Sequence, residues 1–142
     1  MTTEDEVRAA ATRFYDAIEA MCAGKGLAPM REAWHHNDRV TSAHPTEDFA
    51  QGWDEIWASW EAFAPLGRAD RGGSSISNLR VHVYGDIAYT TCTFNVAPAF
   101  GGEHLACTNV LEKKDGAWKI IHHHADKAPK MGAAAEKFAG EL

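Results

Sequence analysis

From Ile76 to the end of the histidine triplet at His122-His123-His124, apolar residues recur at every second position, and this constrains the fold more than any other feature of the chain. The runs Ile76–Tyr84, Ile87–Val96, Glu103–Lys113 and Ala117–Ala125 are separated by Gly85-Asp86, Gly101-Gly102 and Lys114-Asp115-Gly116. Alternation of this kind marks strands that bury one face, and short glycine turns join such strands as antiparallel neighbours. A four-stranded meander is expected, and its apolar face needs a covering layer.

The first half supplies that layer. Thr3-Glu4-Asp5-Glu6 has the form of a capping box with acidic residues in the first turn, where the helix dipole favours them. Val7, Ala11, Phe14, Ile18 and Met21 follow at steps of three and four, which predicts a helix of about 18 residues ending at Gly24-Lys25-Gly26. Pro29 suits the first turn of a short second helix with Met30, Ala33 and Trp34 inward, closed by His35, His36 and Asn37. Asp38–Pro45 reads as a strand with Val40, Ser42 and His44 on one face. After a polar loop, Gly52 opens a third helix whose Trp53, Ile56, Trp57, Trp60 and Phe63 form a broad aromatic face. A polar connection, Arg68–Ser75, leads into the meander, and Gly132–Leu142 predicts a short terminal helix. The order gives an α+β fold: a curved antiparallel sheet with three helices packed on its concave face, cone-shaped and open at one end. At 142 residues a single domain spanning 1–142 is expected.

The net charge of −6 argues against nucleic acid or an anionic membrane as partner, since both require a basic patch. The N-terminus lacks the basic start and apolar run of a secretory signal, so the expected location is cytoplasmic. Three cysteines without C-x-x-C spacing indicate neither a disulfide framework nor a zinc knuckle. Cys92 and Cys107, roughly symmetric about the Pro98–Gly102 turn, could face each other across two strands. A nucleophile elbow, a phosphate-binding glycine loop and paired carboxylates on one element are all missing, which disfavours acyl, phosphoryl and glycosyl transfer.

Phe14-Tyr15 on the first helix, Trp34–Val40, His44-Pro45, the Gly52 helix opening and Asp115-Gly116-Ala117-Trp118-Lys119-Ile120-Ile121 with its trailing histidines occur in an order that resembles the nuclear transport factor 2-like superfamily. Within it the chain resembles the SnoaL-like and ketosteroid isomerase-like proteins. The ending also resembles the association domain of calcium/calmodulin-dependent kinases, which assembles subunits and catalyses nothing. In the steroid isomerases the base is an aspartate followed by proline near the end of the first strand, and the resemblance places His44-Pro45 there. Their oxyanion donors are a tyrosine on the first helix, matched by Phe14 or Tyr15, and a protonated aspartate on a strand, matched by Thr108 with Asn109 beside it.

These matches define the candidate site. His44 is the expected general base, since an imidazole with an ordinary pKa of about 6.5 takes a proton at neutral pH without tuning. Asp38 is a candidate to orient a histidine through its other N–H. Strand alternation puts His122 and His124 on one face with Trp118 and Ile120, and His123 on the other with Lys119 and Ile121. His122 and His124 could then converge with His44, either for proton transfer or as a three-histidine metal site. Tyr15, Trp34, Trp57, Trp60 and Thr108 are the candidate substrate contacts in an apolar cavity. The expected activity is isomerase-, cyclase- or dehydratase-like, without an organic cofactor, on a small apolar or aromatic ligand. The competing expectation is a non-catalytic module that dimerises through the outer face of the sheet; a homodimer is the expected assembly in either case.

Overall fold

The computed structural model describes residues 1–45, 47–128 and 131–141. Helix α1 (Thr3–Cys22) buries Val7, Ala11, Phe14, Ile18 and Met21, the stripe its periodicity predicts. Its cap lies one residue earlier than expected. Thr2 Oγ1 accepts the Asp5 N–H at 3.1 Å, and Asp5 Oδ2 accepts the Thr2 N–H at 3.1 Å. The Thr2 backbone N–H first, and the Thr2 side chain second, hold the Asp5 carboxyl below the usual carboxylate range. Helix α2 (Ala28–Ala33) has Pro29 in its first turn, and α3 (Trp53–Phe63) starts from Gly52 at φ 84°, a left-handed conformation open to glycine.

The strand expected at Asp38–Pro45 shortens to β1 (Thr41–Ala43), because Asp38 and Arg39 form a turn ahead of it. The following loop contributes a two-residue strand, β2 (Ala50–Gln51). The meander appears as β3 (Ser75–Tyr84), β4 (Ile87–Asn95), β5 (His104–Lys114) and β6 (Ala117–Lys127). One six-stranded sheet results, in the order β2-β1-β6-β5-β4-β3, antiparallel except where β1 runs parallel to β6. A last helix, α4 (Met131–Glu141), follows, and Leu142 of the expected terminal helix lies outside the described residues. No helix among the described residues is long and apolar enough to cross a membrane.

Two local features place the site. The chain leaving α3 presses on the end of α1 at Gly67, where an added Cβ would stand 2.0 Å from the Met21 carbonyl oxygen. The Arg68 N–H donates to the Cys22 carbonyl at 3.0 Å and locks this junction. The second feature is a β-bulge in β6. Val110 pairs with His122 and Leu111 with Ile120, so Ile121 is an extra residue without a partner on β5. A two-for-one bulge inverts the pleat beyond it. Trp118 and Ile120 are buried on the inner face, and past the bulge the inward residues become His123 and Ala125.

Candidate functional site

Between the helices and the concave face of the sheet lies a cavity of about 470 Å³, a size typical of small-molecule sites. Tyr15, Ile18, Met21 and Cys22 of α1 form one wall, and Ser59, Trp60 and Phe63 of α3 another. His44, Pro45 and Glu47 lie on the loop after β1; Phe94, Leu105, Cys107, His123 and Ala125 come from the sheet. Phe100, Glu103 and Lys127 stand at the rim, where Phe100 packs on Phe63 at 5.2 Å between ring centroids and Lys127 Nζ lies 3.3 Å from Glu103 Oε1.

His44 and His123 meet in this cavity with ring centroids 5.3 Å apart. The edge of Trp60 stands against His44 at 5.2 Å, and Phe14 packs behind His123 at 4.7 Å. Burial pushes the His44 pKa below its ordinary value, as does His124, while the charge of Glu47 works in the opposite direction. His123 lies well below its ordinary value, first because it is fully buried and then because three other histidines surround it. Both rings are therefore neutral at pH 7 and can accept a proton. The His123 Nδ1–H donates to Asn109 Oδ1 at 2.5 Å, which fixes the tautomer and leaves Nε2 as the basic nitrogen.

Asn109 belongs to a polar row across the inner face. Register aligns Ser42 with His123, His123 with Asn109, and Asn109 with Thr90. These four residues are the buried polar side chains among the described residues, in a layer otherwise apolar. Such groups are costly to bury without partners, yet Asn109 Nδ2 and Thr90 Oγ1 have none among the described residues. Tyr15 Oη and Trp60 Nε1, on the cavity-lining side chains, are buried without a hydrogen-bond partner too. Tyr15 stacks on Phe94 at 5.8 Å, and its hydroxyl lies beside the thiols of Cys92 and Cys107. Burial pushes its pKa up, so the phenol stays protonated and is a hydrogen-bond donor at neutral pH.

The expected site residues divide accordingly. His44, Tyr15 and Trp60 line the cavity, and Tyr15 rather than Phe14 presents its ring there. His122 and His124 do not join His44, because the bulge turns them to the outer face: a hydrogen bond of 2.7 Å joins the Thr41 hydroxyl and His122 Nδ1, and Phe49 packs on both rings. The three-histidine metal site is therefore not formed, and no group of three His, Cys, Asp or Glu side chains among the described residues is placed to hold a metal ion. Thr108 is exposed, since the inward residue of that pair is Asn109. Asp38 is exposed in the turn before β1 and orients no ring. Trp34 is buried in the core beside Phe14 and Trp53, and Trp57 lies under the Arg31 guanidinium at 4.4 Å, both away from the cavity. His123, Asn109, Phe94 and Cys107 are not among the expected site residues, though Asn109 stands beside Thr108 in the match to the isomerase donor. A signal for the first two was present: the adjacent Ile120 and Ile121 break the alternation where the bulge occurs.

The sequence profile of the SnoaL-like domain family matches residues 7–127. The F-box protein SKIP8 of Arabidopsis thaliana is 28% identical over 117 residues, covering 80% of this chain and 46% of that protein, so the chain spans less than half the length of this relative. Among solved structures, a candidate dehydratase of the nuclear transport factor 2-like family from Streptomyces avermitilis superposes with a TM-score of 0.75 at 24% identity, covering 89% of this chain and 96% of the other. A candidate calcium/calmodulin-dependent protein kinase type II association domain from Thiobacillus denitrificans gives 0.72 at 21%, covering 86% and 94%. A candidate ketosteroid isomerase from Parabacteroides distasonis gives 0.67 at 16%, covering 92% and 91%. At these identities the likeness is one of fold.

Proposed function

We propose that this chain, which belongs to the SnoaL-like domain family, binds a small, largely apolar or aromatic carbonyl compound and moves a proton on it, as an isomerase, cyclase or dehydratase does. The observation that carries this reading is the pair of neutral imidazoles, His44 and His123, held 5.3 Å apart in an apolar cavity. His44 is the general base that removes a proton from carbon next to the carbonyl. Tyr15, protonated and without an internal partner, donates to the oxygen on which negative charge develops. His123, locked by Asn109 with Nε2 free, takes or returns the second proton.

The test is exchange of α-protons for deuterium in a panel of cyclic 1,3-diketones and β-hydroxy ketones, followed by NMR. Exchange faster with the protein than with buffer, and lost in His44→Gln, supports the reading. Exchange that is unchanged by this substitution overturns it.

A second reading, assembly through the outer face of the sheet, is favoured by a ladder of aromatic rings there. His82 stacks on Tyr89 at 4.6 Å and Tyr84 on Tyr89 at 6.1 Å, with Tyr84 68% exposed. A homodimer would cover this ladder. Light scattering that gives a dimer, converted to monomer by Tyr84→Glu with Tyr89→Glu, supports it; a wild-type monomer at high concentration overturns it.

A further inference from the structure

Cys92 of β4 and Cys107 of β5 are directly opposed residues of one antiparallel ladder, both buried and both free thiols. Their flanking neighbours two positions away, Thr90, Phe94, Leu105 and Asn109, are buried as well, so the two thiols share the inner face. The ends of the ladder identify the kind of pair they form. The Lys113 N–H donates to the Asp86 carbonyl at 2.8 Å, and the Val96 N–H donates to the Glu103 carbonyl at 2.9 Å. Cys92 and Cys107 lie an even number of positions from both of these pairs, which makes theirs a hydrogen-bonded pair as well. Cα atoms in such a pair are about 5.5 Å apart, within the roughly 4.4–6.8 Å that disulfides bridge. The Cβ atoms, about 5.5 Å apart, would have to approach by about 1–2 Å to reach disulfide spacing. A bond made at that cost carries strain and is easily reduced.

We propose that Cys92 and Cys107 are a reversible disulfide site, oxidised by small hydroperoxides that enter through the cavity. Cys107 lines the cavity and so meets the oxidant first; its hydrogen bond with Cys92 and its burial hold the thiol protonated, so this first oxidation is slow. Its thiol takes one oxygen from the hydroperoxide, giving a sulfenic acid and releasing an alcohol, or water when the oxidant is hydrogen peroxide. The Cys92 sulfur then attacks the Cys107 sulfur, the S–S bond forms, and the sulfenic oxygen leaves as water with the Cys92 proton. In a reducing compartment the pair rests as two thiols, and a low-molecular-weight thiol restores it. Closure draws β4 and β5 together and removes both S–H groups from beside the Tyr15 hydroxyl, so the oxidised cavity differs from the reduced one. The inference stands whether or not the cavity is catalytic.

The test treats the full chain with hydrogen peroxide, blocks remaining thiols with iodoacetamide after denaturation, and digests with trypsin. No lysine or arginine occurs from Val81 to Glu112, so one peptide, Val81–Lys113, carries both cysteines. The expected product is this peptide lighter by two hydrogen masses and unalkylated, with alkylation regained after dithiothreitol. Cys22, which faces no thiol across a strand, cannot form this product, and Cys22→Ser should leave the result unchanged. Cys107→Ser should abolish it, with circular dichroism checking that the variant is folded. A fully alkylated peptide after treatment, or sulfinic acid accumulating at Cys107 with no cross-link, would overturn the proposal.

Discussion

His123 and Asn109 face each other across β6 and β5, and a 2.5 Å hydrogen bond joins them in a layer sealed from solvent. Neither residue has a polar reason to be there other than the other and the cavity beside them. The bond sets which imidazole nitrogen is free, so a structural contact decides the chemistry available to the ring.

Asn109→Ala leaves a buried N–H without its acceptor and should cost about 1–3 kcal/mol of stability, read as a lower urea midpoint at unchanged slope. Asn109→Asp should do the opposite to the ring's charge. A carboxylate at that distance favours the imidazolium, and NMR titration should show the His123 pKa moving upward.

Stability should fall in acid for a reason specific to the buried histidines. His44, His122 and His123 all have pKa values below the ordinary 6.5, each chiefly through burial. The unfolded chain therefore binds more protons as pH falls below about 6.5, and folding is progressively disfavoured down to the folded-state values. Each tenfold weakening of proton affinity is worth about 1.4 kcal/mol at a fully buried ring such as His123, and less at the partly exposed His122, where solvent screens the charge. Urea midpoints at pH 7.5 and pH 5 should differ more for wild type than for His123→Gln, and equal differences would show that His123 is not a source of the acid sensitivity.

His44→Gln should lower any proton-transfer rate by about a hundred- to ten-thousandfold, the usual contribution of a general base. Because His44 lies at the cavity edge and not within the core cluster, unfolding should change by less than about 1 kcal/mol. Tyr15→Phe should slow the same reaction while leaving the ring's packing on Phe94 intact.

Deleting Ile121 tests the bulge. Without the extra residue, regular alternation from Ile120 still turns His123 inward and keeps its neighbours outward. The variant should fold, and NMR should still show the His123 ring N–H protected from exchange by Asn109. A strand that instead shifted register would expose His123 and lose that signal.

Gly67→Ala should be among the most damaging single methyl additions, since its Cβ would collide with the Met21 carbonyl oxygen at 2.0 Å. A drop in midpoint larger than that of Gly140→Ala, where nothing lies within 4 Å, is the expected result.

The alternation from Ile76 onward was sufficient for the four long strands and their turns, and the three- and four-residue steps of Phe14, Ile18 and Met21 were sufficient for α1. Both are local periodicities, and burial of one face is all they need to encode. His44 and Tyr15 were legible through the resemblance, as matches to the isomerase base and to its first-helix donor, the latter with Phe14 as the alternative, and Trp60 through the aromatic face of the third helix. Only tertiary structure decided which of the three histidines turns in. The phase of β6 is set by how Ile120 and His122 pair with Leu111 and Val110 on β5, and the single unpaired residue between them inverts everything beyond it. The same nonlocal pairing buries Asn109 in place of Thr108 and seats Ser42 beside His123, through a parallel contact between strands some 80 residues apart. A period of two gives each residue a face only relative to its neighbours, and hydrogen bonding to another strand is what makes that choice absolute.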